Sequence, residues 1–93
     1  IMVKVNLTLY GRVQGVFFRA HIKEKADDLK LEGTVCNDED GTVKVVAQGM
    51  KERIDELVEF CISGYENAII EDVDVEYSDD ESEFEGFKIV RSQ

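Results

Sequence analysis

A chain of 93 residues suffices for one domain that buries about two-thirds of the surface its unfolded form would expose. Its 43% apolar content is that of a globular protein and argues against disorder. A formal net charge of −10, from 21 acidic against 11 basic residues, excludes nucleic-acid and anionic-membrane partners, because both need cationic neutralisation.

Val3, Val5, Leu7 and Leu9 alternate with Lys4, Asn6, Thr8 and Tyr10, which predicts a strand with one buried face. The same alternation replaces the continuous apolar core of a signal peptide, and no run approaches membrane-spanning length. The expectation is a cytoplasmic protein. Gly11-Arg12-Val13-Gln14-Gly15-Val16-Phe17-Phe18-Arg19 follows the strand and runs into a helical pattern. Glycine at 11 and 15 permits a sharp turn and a close approach of backbone amides to a ligand. Amides before and at a first helical turn lack intrahelical acceptors and form a ready anion site, to which Arg19 adds a planar charged fork. The segment reads as a cradle for a small phosphate group. Arg12, Arg19, Lys23 and Lys25 concentrate cations here, opposed only by Glu24, although Lys23 and Lys25 fit an ordinary helix surface as well.

Phe18, Ile22, Ala26 and Leu29 recur at helical spacing up to about Leu29. A second strand is expected over roughly Gly33 to Asp38, a tight hairpin at Asp40-Gly41, and a third strand through Val43, Val45 and Ala47. Gly49 separates that strand from a second helix, whose apolar stripe is Ile54, Leu57, Val58, Cys61 and Ile62 and whose end falls at Gly64 in a left-handed conformation. A fourth strand carries Ile70, Val73, Val75 and Tyr77, with Ile70 out of phase with the other three. Asp79-Asp80-Glu81-Ser82-Glu83 reads as a solvated loop, and a short last strand holds Phe87 and Ile89.

The order β-α-β-β-α-β with an extra terminal strand predicts an α+β, ferredoxin-like sandwich spanning residues 1–93 as a single domain. Right-handed crossovers place both helices on one face of an antiparallel sheet. That architecture hosts many activities, so function must come from the site. A Walker loop is absent, and no cysteine precedes Arg19 as a phosphatase nucleophile would. Asn37-Asp38-Glu39-Asp40-Gly41 fails as a calcium loop, since Cys36 would be the first ligand and Ala47 the last. His21 lacks a cysteine or histidine partner and reads as a helix-surface residue. Cys36 and Cys61 lack metal-site spacing, and free thiols are expected without excluding one bridge. No metal and no cofactor are called for.

The first motif, G-x-V-Q-G-V-x-F-R, is followed by Gly33-Thr34-Val35-Cys36-Asn37-Asp38-Glu39-Asp40-Gly41-Thr42-Val43, which fits G-x-V-x-N-x-x-D-G-x-V. Together the two resemble the double signature of acylphosphatases, and the resemblance extends to Gln48-Gly49 and to Phe87 and Ile89. It implies a small monomeric hydrolase that cleaves acyl phosphates to a carboxylate and inorganic phosphate without metal. By that resemblance Arg19 holds the phosphate and Asn37 positions the attacking water. The backbone amides of Gln14, Gly15, Val16, Phe17 and Phe18 wrap the phosphate oxygens; the Thr42 hydroxyl either buttresses the site or simply belongs to a residue that starts the third strand. The alternative is a non-catalytic module that binds acyl or carbamoyl phosphate. The sequence departs from the usual family pattern at Phe17 and Lys30, where glycine is common, and at Tyr65, where proline is usual. A left-handed Lys30 should cost on the order of 1 kcal/mol.

Overall fold

Alternating strands with one apolar face need a cover, and two amphipathic helices supply it. The computed structural model describes residues 1–91. Its elements are β1 (Met2–Arg12), α1 (Phe18–Asp28), β2 (Glu32–Asn37), β3 (Val43–Met50), α2 (Lys51–Ser63), β4 (Ile69–Ser78) and β5 (Phe87–Ile89). The strands form one sheet in the order β4-β1-β3-β2-β5. No helix among the described residues is long and apolar enough to cross a membrane.

The buried face of the sheet follows the alternation. Val5, Leu7 and Leu9 of β1 pair with Ala47, Val45 and Val43 of β3, and Val35 of β2 pairs with Val45. All are buried, beneath Phe18, Ile22 and Ala26 of α1 and Ile54, Leu57, Val58 and Cys61 of α2. Ile62, expected in that stripe, is 48% exposed. It follows Cys61 by one position, about 100° around the helix, and so turns away from the sheet.

Every neighbouring pair among the first four strands is antiparallel, as expected, but β5 runs parallel to β2 and makes the sheet mixed. The chain leaves β4 at one edge and reaches β5 at the other by way of the acidic segment after Ser78. The acidic side chains of Asp79, Asp80, Glu81 and Glu83 are exposed, as expected of a solvated loop. Ser82, however, is tied to the sheet. Its amide donates to Gln48 Oε1 at 2.9 Å, its carbonyl accepts from Gln48 Nε2 at 3.0 Å, and its hydroxyl accepts from Lys4 Nζ at 3.1 Å.

Two glycines expected as breaks lie inside strands. Gly11 sits in β1 at a register shift against β4, where a Cβ would come within 2.2 Å of the Ile69 carbonyl oxygen. The shift leaves Glu71 unmatched between Asp72 and Ile70, so Ile70 swings onto the core side and its odd phase is explained. Gly49 belongs to β3, which runs straight into α2, and a Cβ there would meet Leu31 at 2.4 Å.

α1 ends with Leu31 N donating to Ala26 O at 2.9 Å and Lys30 N to Asp27 O at 3.0 Å. This double bond is a Schellman cap, with Lys30 left-handed at φ 56° where glycine is favoured. Gly64 ends α2 at φ 77°, ψ −177°, an extended conformation open essentially to glycine rather than the expected left-handed helical one. Tyr65 beyond it stacks on His21 of α1, with ring centroids 3.6 Å apart and planes 20° from parallel. His21 thus ties α1 to the segment that follows α2, beyond the surface role expected of it.

Candidate active site

The crossover geometry decides where the two motifs meet. β1 and β2 both pair antiparallel with β3, so they run in the same direction and α1 returns antiparallel to both. The start of α1 therefore lies at the sheet end where β2 finishes. Arg19 occupies the first turn of α1 and Asn37 the last position of β2, on the same sheet face as Val35. Both line one cavity of about 340 Å³, together with Val13, Gly15, Phe17, Phe18, Ala20 and Ile89.

The anchors of this cavity are apolar. Val13 and Phe18 are buried on either side of the turn and pin its ends into the core. Between them Gly15 has φ 74°, and Phe17 takes φ 63°, ψ 16° immediately before the helix. Phe17 holds a left-handed conformation although it is not glycine, so the backbone shape survives the departure from the usual pattern. Among the described residues no backbone or side-chain acceptor takes the amides of Gln14, Gly15, Val16, Phe17, Phe18 or Arg19. These donors are the unsatisfied start of a helix plus the turn before it, a concentration of partial positive charge.

Arg19 is half-buried and enters no ion pair among the described residues. Lys23 and Lys25, by contrast, pair with Asp27 at 2.6 Å and Glu56 at 2.9 Å, which leaves them on the helix surface. The Asn37 Oδ1 atom is buried and has no hydrogen-bond partner among the described residues. An orphaned buried acceptor costs about 1–3 kcal/mol, and here it belongs to a residue that borders the open cavity.

The hairpin after β2 holds Asn37 in place. Asp38 N donates to Thr42 O at 2.9 Å and Gly41 N to Asp38 O at 3.1 Å, with Gly41 at φ 90°, an arrangement in which Glu39, Asp40 and Gly41 form the connection. Thr42 is buried, and its hydroxyl and amide donate to Asp40 Oδ1 at 2.6 and 2.9 Å. Those two bonds, the hydroxyl's first, with Lys44 beside them, hold the Asp40 carboxyl down at about 2. Thr42 does not line the cavity; its side chain serves the turn.

One contact was invisible in the sequence. The Gln14 side chain donates through Nε2 to the carbonyls of Asp38 and Thr42, each at 2.8 Å. Only its backbone was expected to matter, and neither Gln14 nor Val16 lines the cavity. A glutamine inside a glycine-bounded turn was the available signal, but its partners lie in a distant hairpin. Cys36 and Cys61 are both free; Val35 faces the helices, so Cys36 faces the opposite side of the sheet from Cys61. Among the described residues, no group of three or more His, Cys, Asp or Glu side chains converges to hold a metal ion.

Relatives share this layout and its sequence. The acylphosphatase family model matches residues 5–89. An acylphosphatase from Haloarcula marismortui is 41% identical over 86 residues, spanning 92% of this chain and 93% of that protein. One from Pelotomaculum thermopropionicum is 38% identical over 92% of this chain and 94% of its own length. The crystal structure of acylphosphatase from Bacillus subtilis superposes with a TM-score of 0.91 at 33% identity, covering 95% of this chain and 98% of that one. With the family's pattern matched across nearly its whole length, the chain belongs to the acylphosphatase family.

Proposed function

We propose that this protein hydrolyses acyl phosphates to a carboxylate and inorganic phosphate at the cavity between Arg19 and Asn37, without a metal. The carrying observation is that Arg19, a cation with no ion-pair partner among the described residues, and the carboxamide residue Asn37 line one cavity. The Arg19 guanidinium takes the phosphate group, and the amides of Gln14 through Phe18 take its remaining oxygens. A carboxamide can accept from a water and donate to it without placing negative charge beside the phosphate. The Asn37 carboxamide accordingly positions the attacking water opposite the leaving carboxylate, and Thr42 supports this arrangement through the hairpin turn.

The leaving group makes the sparse machinery sufficient. As the water oxygen bonds to phosphorus, the P–O bond to the acyl group breaks and the pair of electrons leaves on a carboxylate. Its conjugate acid has a pKa of roughly 4, so no general acid is needed at neutral pH. The water's proton ends on the phosphate product. A loose phosphoryl-transfer transition state asks for positioning and for charge stabilisation on the equatorial oxygens, which an arginine and aimed amides supply.

The free thiols and the acidic surface suit a single-domain monomer acting in the cytoplasm on small-molecule substrates alone. The deciding experiment is hydrolysis of acetyl phosphate by the purified protein in the presence of a chelator. Turnover that persists in chelator is expected. Phosphate binding without turnover would replace the enzyme by a module that only senses acyl phosphates.

A further inference from the structure

Among the described residues Arg19 is the one charged residue lining the cavity, and apart from Asn37 the remainder of the lining is apolar. Two of the apolar residues also face solvent: Phe17 is 80% exposed and Ile89 is 42% exposed. Phe17 is the unusual one. Its left-handed backbone disfavours every side chain relative to glycine, and its ring gains almost no burial in return. Neither local conformation nor core packing accounts for an aromatic side chain at this position. The cavity of about 340 Å³ also lies within the size range of small-molecule sites, which leaves room beside a phosphate group.

We propose that Phe17 and Ile89 form an apolar lip on which the acyl group lies, so that the site prefers acyl phosphates with a ring-sized apolar acyl group. This rests on the reading above: with the phosphate at Arg19, the acyl end extends past the solvent-facing part of the lining. An apolar acyl group gains by covering that surface. A second carboxylate on the acyl group finds no further cation in the lining, in a chain of net charge −10, and Lys23 and Lys25 are engaged by Asp27 and Glu56.

The test compares kcat/KM for benzoyl phosphate, acetyl phosphate and succinyl phosphate in wild type, Phe17→Gly and Ile89→Thr, with inhibition by inorganic phosphate measured alongside. Glycine adopts the Phe17 backbone conformation freely, so Phe17→Gly preserves the turn. Wild type should prefer benzoyl phosphate over acetyl phosphate by about tenfold, with succinyl phosphate the poorest of the three. Phe17→Gly should shrink the benzoyl-to-acetyl ratio by about tenfold through KM for benzoyl phosphate, and Ile89→Thr should shrink it less. Phosphate inhibition reports any common change in the cradle. A ratio that both variants leave intact overturns the lip while hydrolysis itself still stands. A wild type that hydrolyses none of the three overturns the underlying reading and the lip with it.

Discussion

Gln14 and Asp38 are joined by a 2.8 Å hydrogen bond from the Gln14 side-chain amide to the Asp38 carbonyl, and the same nitrogen reaches the Thr42 carbonyl at 2.8 Å. The bond links the turn that carries the amides before α1 to the residue directly after Asn37. It therefore ties the two halves of the site together.

Gln14→Leu removes two part-buried hydrogen bonds, while each carbonyl keeps one backbone donor, Asp38 O from Gly41 N and Thr42 O from Asp38 N. The expected loss is about 1–3 kcal/mol of stability, read as a lower denaturation midpoint with unchanged m-value. Activity should fall further than stability accounts for, mostly in kcat at temperatures where the protein stays folded. Gln14→Glu should be no better, because a carboxylate cannot donate.

The hairpin makes acid stability depend on Thr42. Asp40 is depressed from 3.8 to about 2 by the Thr42 hydrogen bonds. A carboxyl with a lowered folded pKa contributes stability that is present above its unfolded pKa and lost as pH falls through the folded one. The contribution thus disappears between about pH 4 and pH 2. Thr42→Val should be less stable than wild type at neutral pH, and the gap should narrow across that window as Asp40 protonates in wild type. Comparing the two proteins in urea at each pH cancels the carboxylates common to both. A gap that stays constant down to pH 2 would contradict the link.

Lys30 closes the Schellman cap of α1 at φ 56°. Lys30→Gly relieves the left-handed strain and should stabilise the protein by up to about 1 kcal/mol without changing activity, since the position is remote from Arg19 and Asn37.

Cys61 is pushed up to about 12 by burial in the core. It should resist a charged thiol reagent in the native state and react only after unfolding, whereas Cys36 is half-buried on the other sheet face. Native-state modification of Cys61 at a rate equal to Cys36 would contradict that placement.

The parts of the fold legible in the sequence are those where one local pattern carries the answer. The alternation of Val3 to Tyr10 and the spacing of Phe18, Ile22 and Ala26 each fix a buried face without reference to any partner. What escaped depends on contacts between distant segments. Gly11 and Gly49 read as breaks because a glycine carries no periodic signal; in fact each lets a neighbour approach closely, the Ile69 carbonyl for one and Leu31 for the other. The odd phase of Ile70 follows from the register shift opposite Gly11, and the parallel direction of β5 follows from the chain crossing the sheet at the end where β4 finishes and β2 begins. At the site, Arg19 and Asn37 were legible as members of two motifs. The Gln14 side-chain bridge was not, because its acceptors are backbone atoms and leave no trace in residue type.

The most direct test of the central claim separates binding from chemistry at Asn37. Wild type and Asn37→Ala are compared in acetyl phosphate hydrolysis and in inhibition by inorganic phosphate, with Arg19→Ala as the contrasting variant. Positioned water is worth several kcal/mol, so Asn37→Ala should lose at least about 100-fold in kcat while inorganic phosphate inhibits it as it does wild type. Arg19→Ala should lose phosphate inhibition and kcat/KM together. An Asn37→Ala protein that turns over at the wild-type rate would contradict the account.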